Sequence, residues 1–138
     1  MSDDTRSWNE KVIDEFHANA GKVGGPFEGK ELVLLTMTGA KSGEPRTTPL
    51  ATSHDGDDLV VVASYGGADR HPDWYYNVVA NPRVTVEFGT EKFEATAREV
   101  TDRAERDRLY ANMVSVMPGF ADYEKKTDRL IPVIVLER

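Results

Sequence analysis

About six short segments of this 138-residue chain are apolar or alternate between apolar and polar side chains, and turn-forming residues separate them. Residues 31–38 (ELVLLTMT) and 59–63 are too short and too continuously apolar for most helices, so both are predicted to be buried strands. Residues 46–54 lie between them and alternate moderately, and the Asp55-Gly56 dipeptide that follows is a strong hairpin signal. The first half of the chain is therefore predicted to be an antiparallel meander.

The second half of the chain repeats this pattern after a central helix. Pro72 is typical of a helix start, and Asn81-Pro82 ends the helical pattern. Residues 83–88 and 93–100 alternate around Gly89 and Thr90, which predicts another hairpin, and residues 131–136 form a last apolar strand. Hairpins before and after a helix predict an α+β fold with antiparallel strands, and the pattern favours a barrel with peripheral helices.

Helices are also predicted near both ends of the chain. The first carries apolar residues at intervals of four: Trp8, Val12, Phe16 and Ala20. Residues 101–117 predict a charged helix whose inward side chains are Leu109, Met113, Val116 and Met117, and residues 120–127 add a further turn of helix. The length predicts a single domain over residues 1–138, with an N-terminal helix in 1–21 and a barrel that binds a cofactor in 22–138.

Composition excludes several function classes. Seventeen basic and 24 acidic residues give a net charge of −7, which argues against bulk binding to nucleic acid. The absence of cysteine excludes disulfide scaffolds, iron–sulfur clusters and cysteine nucleophiles, and the three histidines lack metal-ligand spacing, so no metal is predicted. No segment approaches the ~20 apolar residues of a membrane span and no secretory signal is evident, so a cytoplasmic location is expected. Weak peripheral contact with the inner face of the membrane stays open, as does the choice between monomer and homodimer.

The first loop with unusual chemistry is residues 41–48, KSGEPRTT. It combines two cations and three hydroxyls with a turn-forming glycine and proline in a chain that is otherwise acidic. Backbone N–H groups exposed by glycine, a lysine point charge and an arginine fork are the groups that bind phosphate or carboxylate. The spacing is not that of a Walker loop, and a solvated hairpin turn is the alternative interpretation.

The second such loop is residues 64–77, SYGGADRHPDWYYN. Its glycines allow a flat ligand to approach the backbone, and the helix that starts at its end offers N–H groups to an anion or a carbonyl oxygen. Trp74, Tyr75 and Tyr76 supply aromatic surface, although adjacent aromatics on a helix commonly pack in a core. Together the two loops suit a phosphorylated planar cofactor that composition alone does not name.

At these two loops the sequence strongly resembles the deazaflavin (coenzyme F420)-dependent nitroreductase family of actinobacteria. The likeness is carried by LLTMTGAKSGEPRTTPL (34–50), VVASYGGADRHPDWYYNVVANPRVTV (61–86) and PGFADYEKKTDRLIPVIVLE (118–137). It implies an FMN-binding-like split β-barrel with coenzyme F420 in a groove across it. The implied activity is that of an F420H2-dependent oxidoreductase of quinone reductase or nitroreductase type. Such an enzyme transfers a hydride from the reduced coenzyme to a small electron-poor acceptor such as a quinone, an enone or a nitro compound.

The resemblance also implies roles for particular residues. The coenzyme's phosphate and the start of its tail would be held by Lys41, Ser42 and Arg46, and its linker would run beside Thr47, Thr48 and Pro49. The deazaflavin ring would meet Ala63, Ser64 and Tyr65 from the glycine loop, and Asp73, Trp74, Tyr75 and Asn77 from the helix start. The substrate side would be formed by Ala51, Met117, Phe120 and Tyr123. The oxygen that gains negative charge would be hydrogen-bonded or protonated by Tyr123 or Ser64, which are the predicted catalytic residues.

This chain departs from the family pattern at several of these positions. Relatives commonly carry lysine or asparagine where Tyr65 stands, and some carry tyrosine in place of Ala51, Met117 and Phe120. Reduction of bulky nitroimidazole prodrugs is therefore not implied. Two alternatives stay open: an FMN-dependent oxidoreductase of similar fold, and a non-catalytic protein that binds the deazaflavin.

Overall fold

The computed structural model describes residues 8–24 and 29–138. Within these ranges the helices are α1 (Trp8–Ala18), α2 (Asp73–Ala80), α3 (Arg103–Val116) and α4 (Phe120–Lys126). The strands are β1 (Leu32–Thr38), β2 (Pro45–Ala51), β3 (Ser53–Asp55), β4 (Asp58–Val62), β5 (Arg83–Phe88), β6 (Glu91–Glu99) and β7 (Val133–Glu137). A short 3-10 turn, Tyr65–Gly67, lies between β4 and α2.

The strands form one antiparallel sheet in the order β2-β1-β5-β6-β7-β4-β3. The three predicted hairpins are present: β1 pairs with β2 from Leu32↔Ala51 to Thr38↔Pro45, β3 pairs with β4 around Gly56, and β5 pairs with β6. The last strand, β7, inserts between β6 and β4 and so joins the two halves of the chain.

The strand predicted over residues 46–54 is divided in two at Thr52, and this division closes the sheet. β2 pairs with β1, whereas β3 pairs with β4 at the opposite edge. Thr52 is buried. Its amide donates to the carbonyl oxygen of Glu31 at 3.1 Å, and its hydroxyl donates to the carbonyl oxygen of Val60 at 3.0 Å. Because the chain crosses from one edge to the other here, the sheet becomes a barrel that remains split where β2 and β4 separate. The predicted α+β split barrel is confirmed.

Alternation along the strands divides the apolar side chains between the inside and the outside of the barrel. The inner set forms one continuous core, which includes Val33, Leu35, Met37, Val61, Val86, Ile134 and Leu136. Trp74, Tyr75 and the buried Val78 of α2 pack against this inner core. Helix α2 therefore covers one end of the barrel, and its first turn borders the site described below.

Two helices cover the outer face of the barrel. Val12 and Phe16 of α1 pack on Leu32 and Leu34 of β1. In α3, residues Leu109, Tyr110 and Met113 cover the outward side chains of β4 and β7. Full burial of one such aliphatic or aromatic side chain stabilises the fold by about 1.5–3 kcal/mol.

Two of the predicted inward residues are exposed. Ala20 is exposed because it lies beyond the end of α1, with a φ of 55°. The side chain of Trp8, which was also predicted to face inward, lies outside the described part of the structure. Val116 is 43% exposed in the last turn of α3. Helical periodicity identifies the apolar face but does not reveal how far the sheet beneath it extends. None of the helices in the described ranges is long and apolar enough to cross a membrane, and no cluster of potential metal ligands occurs there.

Candidate active site

A groove of about 940 Å³ lies where the barrel is split. Its walls come from β2 and the turn before it, from the end of β4 and the 3-10 turn, and from the start of α2. Strand β2 carries Pro45 and Pro49, which lack a backbone N–H group and are tolerated at a sheet edge. The groove therefore follows an edge that no other strand covers within the described ranges.

The first wall is the turn at residues 39–44 together with the start of β2, and these segments carry the predicted cations Lys41 and Arg46. The amide of Gly39 donates to the carbonyl oxygen of Glu44 at 2.8 Å, and the amide of Gly43 donates to that of Gly39 at 3.0 Å. Lys41 and Arg46 line the groove, are exposed, and form no ion pair with any described residue. The turn and the start of β2 thus present two uncompensated cations to the groove, which suits an anionic ligand.

The opposite wall is the 3-10 turn, whose backbone conformation is unusual. Ser64 is right-handed (φ −75°, ψ −35°), Tyr65 is left-handed (φ 48°), and Gly66 follows with φ 64° and ψ 18°. Successive right- and left-handed residues turn their N–H groups towards one side and form an anion-binding concavity. The amides of Ser64, Tyr65 and Gly66 donate to no other described residue, whereas those of Gly67 and Ala68 donate to the carbonyl oxygens of Ser64 and Tyr65 at 2.9 and 3.1 Å.

Two contacts hold this turn from behind. The Arg129 guanidinium donates to the carbonyl oxygens of Ser64 and Ala68, both at 2.7 Å. It also donates to that of Ala63 at 3.3 Å. Gly67 (φ 83°) packs so closely on α4 that an added Cβ would lie 3.0 Å from the carbonyl oxygen of Tyr123 and from Cβ of Lys126. Only glycine fits there without displacing α4.

His71 completes this support as a hydrogen-bond acceptor. Arg129 lies 3.0 Å from its Nδ1, and because a guanidinium can only donate, Nδ1 accepts and the ring proton is on Nε2. Burial lowers the pKa of His71, the positive charge of Arg129 lowers it further, and Glu99 opposes both effects. The His71 ring also packs against that of Tyr75, with the centroids 4.5 Å apart and the ring planes tilted by 39°.

The remaining lining is aromatic and apolar. Trp74 and the half-exposed Tyr76 line the groove from α2. The side chains of Ala51, Val62 and Phe120 make one end of the groove apolar. Phe120 is held there because the Tyr110 hydroxyl donates to its carbonyl oxygen at 2.6 Å, and burial raises the pKa of Tyr110 to about 12.

The groove brings together most of the residues that the sequence predicted for the coenzyme and the substrate. Those that line it are Lys41, Ser42, Arg46, Thr48, Pro49, Ala51, Ser64, Tyr65, Asp73, Trp74, Asn77 and Phe120. Asn77 has a second contact, since its side-chain carbonyl accepts from the amide of Ala40 at 2.9 Å.

Five predicted residues lie outside the lining. The hydroxyl of Thr47 is 2.8 Å from that of Thr36 on β1, and Tyr75 donates to Glu99 at 2.8 Å. Burial and this hydrogen bond raise the pKa of Tyr75 to about 12. Ala63 is fully buried, and Met117 ends α3 and packs on the outer core. Tyr123 packs against the ring of Phe120, with the centroids 5.0 Å apart.

Sequence reasoning missed Arg129 and Tyr110, and it gave no role to Tyr76 beyond aromatic surface. Arg129 and Tyr110 act on backbone carbonyl oxygens that belong to other segments of the chain, and such contacts leave no local motif. A second cavity of about 790 Å³ lies between the end of α1 and the β5–β6 turn. It contains none of the predicted site residues.

Comparison with known proteins identifies the family of this chain. A sequence profile described as F420H(2)-dependent quinone reductase matches residues 8–138. The chain belongs to this family. An F420H(2)-dependent quinone reductase of Mycobacterium tuberculosis (strain H37Rv) is 37% identical over 129 residues, which cover 89% of this chain and 85% of the relative. The resemblance to F420-dependent reductases is therefore confirmed.

Two solved structures are similar to this member of the F420H(2)-dependent quinone reductase family. One is described as an F420-H2 dependent reductase (FDR-A); it is 45% identical, has a TM-score of 0.71, and the match covers 77% of this chain and 93% of that one. The other, described as a domain-swapped dimer, is 38% identical with a TM-score of 0.73 and covers 93% of this chain and 96% of its own.

Proposed function

We propose that this chain is an oxidoreductase that binds coenzyme F420 in the groove and reduces a quinone-type acceptor. The observation that carries the proposal is that one groove contains Lys41 and Arg46, two cations without ion-pair partners among the described residues, and a turn with three free backbone amides. These amides belong to Ser64, Tyr65 and Gly66 and donate no hydrogen bond to any described residue. A phosphorylated cofactor with a flat heterocycle requires both features at the two ends of one site. Membership of the F420H(2)-dependent quinone reductase family supports the choice of coenzyme.

The residues present fit the coenzyme. Lys41 and Arg46, with the Ser42 hydroxyl, would hold its phosphate and the start of its tail, and Thr48 and Pro49 border the space between the two ends of the groove. The amides of Ser64, Tyr65 and Gly66 would bind the electron-rich edge of the ring, beside Trp74 and Asp73. When bound in its reduced form, coenzyme F420 supplies a hydride to an electron-poor acceptor.

The acceptor would lie at the apolar end of the groove, against Ala51, Val62 and Phe120. Hydrogen bonds aimed at an oxygen that gains negative charge stabilise the transition state, and they are strongest where water is excluded. Ser64 is 7% exposed, lines the groove, and its hydroxyl donates to no described residue. We assign this hydrogen bond to Ser64 or to Tyr123, which packs behind Phe120 on α4.

The apolar side chains at the acceptor end favour flat, apolar acceptors such as quinones and enones, and small nitro compounds remain candidate substrates. Met117 lies behind this end and would affect substrates only through packing on α3. We further propose a cytoplasmic location, with weak peripheral contact at the inner membrane face as a route to lipophilic quinones. A homodimer is compatible with the relative described as a domain-swapped dimer.

A fluorescence titration of the purified chain with coenzyme F420, with FMN in parallel, tests the proposal. Micromolar or tighter binding of the deazaflavin alone is expected. Lys41→Ala and Arg46→Ala should each weaken binding by about 1.5–3 kcal/mol, or roughly 10- to 150-fold. The matched control is Lys92→Ala, because Lys92 is also an exposed cation but lies on β6, outside the groove.

The alternatives give different results in the same titration. Tight FMN binding without a deazaflavin signal would move the chain to the flavin-dependent oxidoreductases. Deazaflavin binding without turnover of any quinone, enone or nitro acceptor would identify a non-catalytic coenzyme-binding protein. Equal effects of Lys92→Ala and Lys41→Ala would contradict the assignment of the phosphate site.

A further inference from the structure

We propose that Arg129 is a positioning residue for the coenzyme, which rests on the proposed function. Its guanidinium orients the peptide units of the 3-10 turn so that their amides face the groove. Arg129 does not itself line the groove, so any effect on the coenzyme passes through the backbone.

The geometry of the peptide bond gives the reason. In a trans peptide the C=O and the following N–H point in opposite directions, and the described chain contains no cis peptide. The carbonyl of Ala63 shares a peptide unit with the amide of Ser64, and the carbonyl of Ser64 shares one with the amide of Tyr65. Arg129 holds these two carbonyl oxygens at 3.3 and 2.7 Å. Their partner amides must therefore point away from Arg129.

The turn needs such a hold because its conformation is strained. Tyr65 is a non-glycine residue at φ 48°, and such conformations persist only where the surroundings over-determine them. Arg129 supplies a rigid fork of donors that reaches both ends of the turn, since it also bonds the carbonyl oxygen of Ala68 at 2.7 Å. His71 fixes the same guanidinium from the side at 3.0 Å.

The test compares Arg129→Gln, Arg129→Lys and the matched control Arg98→Gln. Arg98 is a partly buried arginine whose ion pairs, with Glu137 and Glu105, lie outside the groove. Three quantities are measured for each: the Kd of oxidised coenzyme F420 by fluorescence, the KM of a fixed quinone, and amide hydrogen exchange of residues 63–68 without coenzyme. Arg129→Gln should raise the Kd about tenfold or more and leave the quinone KM unchanged. The amides of Gly67 and Ala68 should lose protection.

Arg129→Lys keeps the charge but not the fork, so its Kd should fall between the wild-type and Arg129→Gln values, while Arg98→Gln should stay within about twofold of wild type. An unchanged, wild-type Kd in Arg129→Gln overturns the proposal. A raised Kd also overturns it if the amides of Gly67 and Ala68 stay fully protected from exchange, because the loss of binding would then be a long-range effect of the lost charge. If Arg129→Gln does not fold, Arg129→Lys decides in the same way. Failure of the wild-type chain to bind coenzyme F420 would refute the proposed function instead, and the exchange data would still test the hold of Arg129 on the turn.

Discussion

The side-chain carbonyl of Asn77 accepts a hydrogen bond from the backbone amide of Ala40 at 2.9 Å. This bond joins α2, which borders the proposed ring end of the groove, to the turn that carries Lys41. This hydrogen bond therefore helps to set the spacing between the two ends of the groove, in addition to the β1–β2 pairing and the packing of α2 on the inner core. A ligand that spans both ends depends on this spacing.

Removing this tether should weaken coenzyme binding without unfolding the barrel. Asn77→Ala deletes one side-chain-to-backbone hydrogen bond, which typically contributes about 1 kcal/mol, so the Kd of coenzyme F420 should rise about fivefold. The control is Asn112→Ala, which deletes a similar bond to the carbonyl oxygen of His54 at 3.0 Å, outside the groove. Fluorescence titration of both variants is the measurement; the same Kd for both would mean that the tether does not set the spacing.

The two candidate proton donors can be separated by substitution. Ser64→Ala removes a hydroxyl that lines the groove, whereas Tyr123→Phe removes one from a residue outside the lining. We expect Ser64→Ala to lower kcat about 100- to 1,000-fold with an unchanged coenzyme Kd, as for a lost donor to a developing oxyanion. Steady-state kinetics with several quinones check this. A larger loss in Tyr123→Phe than in Ser64→Ala would assign the role to Tyr123.

Gly67 should tolerate alanine much less well than Gly43. Both have a left-handed backbone, with φ of 83° and 71°, so an alanine at either costs about 1–2 kcal/mol of conformational strain. A Cβ at Gly43 meets nothing within 4 Å, whereas one at Gly67 meets α4 at 3.0 Å, which adds about 1–3 kcal/mol. Urea unfolding of Gly67→Ala and Gly43→Ala measures the difference, and equal losses would show that α4 moves aside freely.

Protonation of His71 should destabilise the fold. Its folded-state pKa lies below the ordinary value of about 6.5, so the unfolded chain binds the proton more tightly. The free energy of unfolding therefore rises with pH between the folded pKa and about 6.5. The stability that the neutral His71 ring contributes is fully present above pH 6.5 and is lost as the pH falls through the folded-state pKa.

Two measurements check the His71 prediction. An NMR titration should give a pKa for His71 below 6.5. Urea unfolding should show that the free energy of unfolding of His71→Gln, which cannot take up this proton, depends less on pH between pH 4 and 7 than that of the wild-type chain. A pKa at or above 6.5 would contradict the contact between Arg129 and neutral Nδ1.

Much of the site could be predicted because its chemistry is local in sequence. The cations Lys41 and Arg46 lie in or directly beside a short turn, and the glycines of residues 66–67 lie in another; the composition of both turns already indicates their conformation. Tyr75 shows the limit of such reasoning. It stands between Trp74 and Tyr76, which both line the groove, yet its hydroxyl donates to Glu99 on β6, a partner that only the folded chain brings within reach.

The sequence alone determined the number and order of most strands, the turns between them and the two loops that form the groove, because hydrophobic periodicity and turn chemistry act over a few residues. Only the tertiary structure decided that the strand over residues 46–54 breaks at Thr52 and closes the barrel, and that Arg129 binds Ser64, which is 65 residues away in sequence. Such contacts depend on which backbone groups the folded chain brings together. A backbone carbonyl is the same group at every position, so no residue type marks in advance the one that Arg129 will bind.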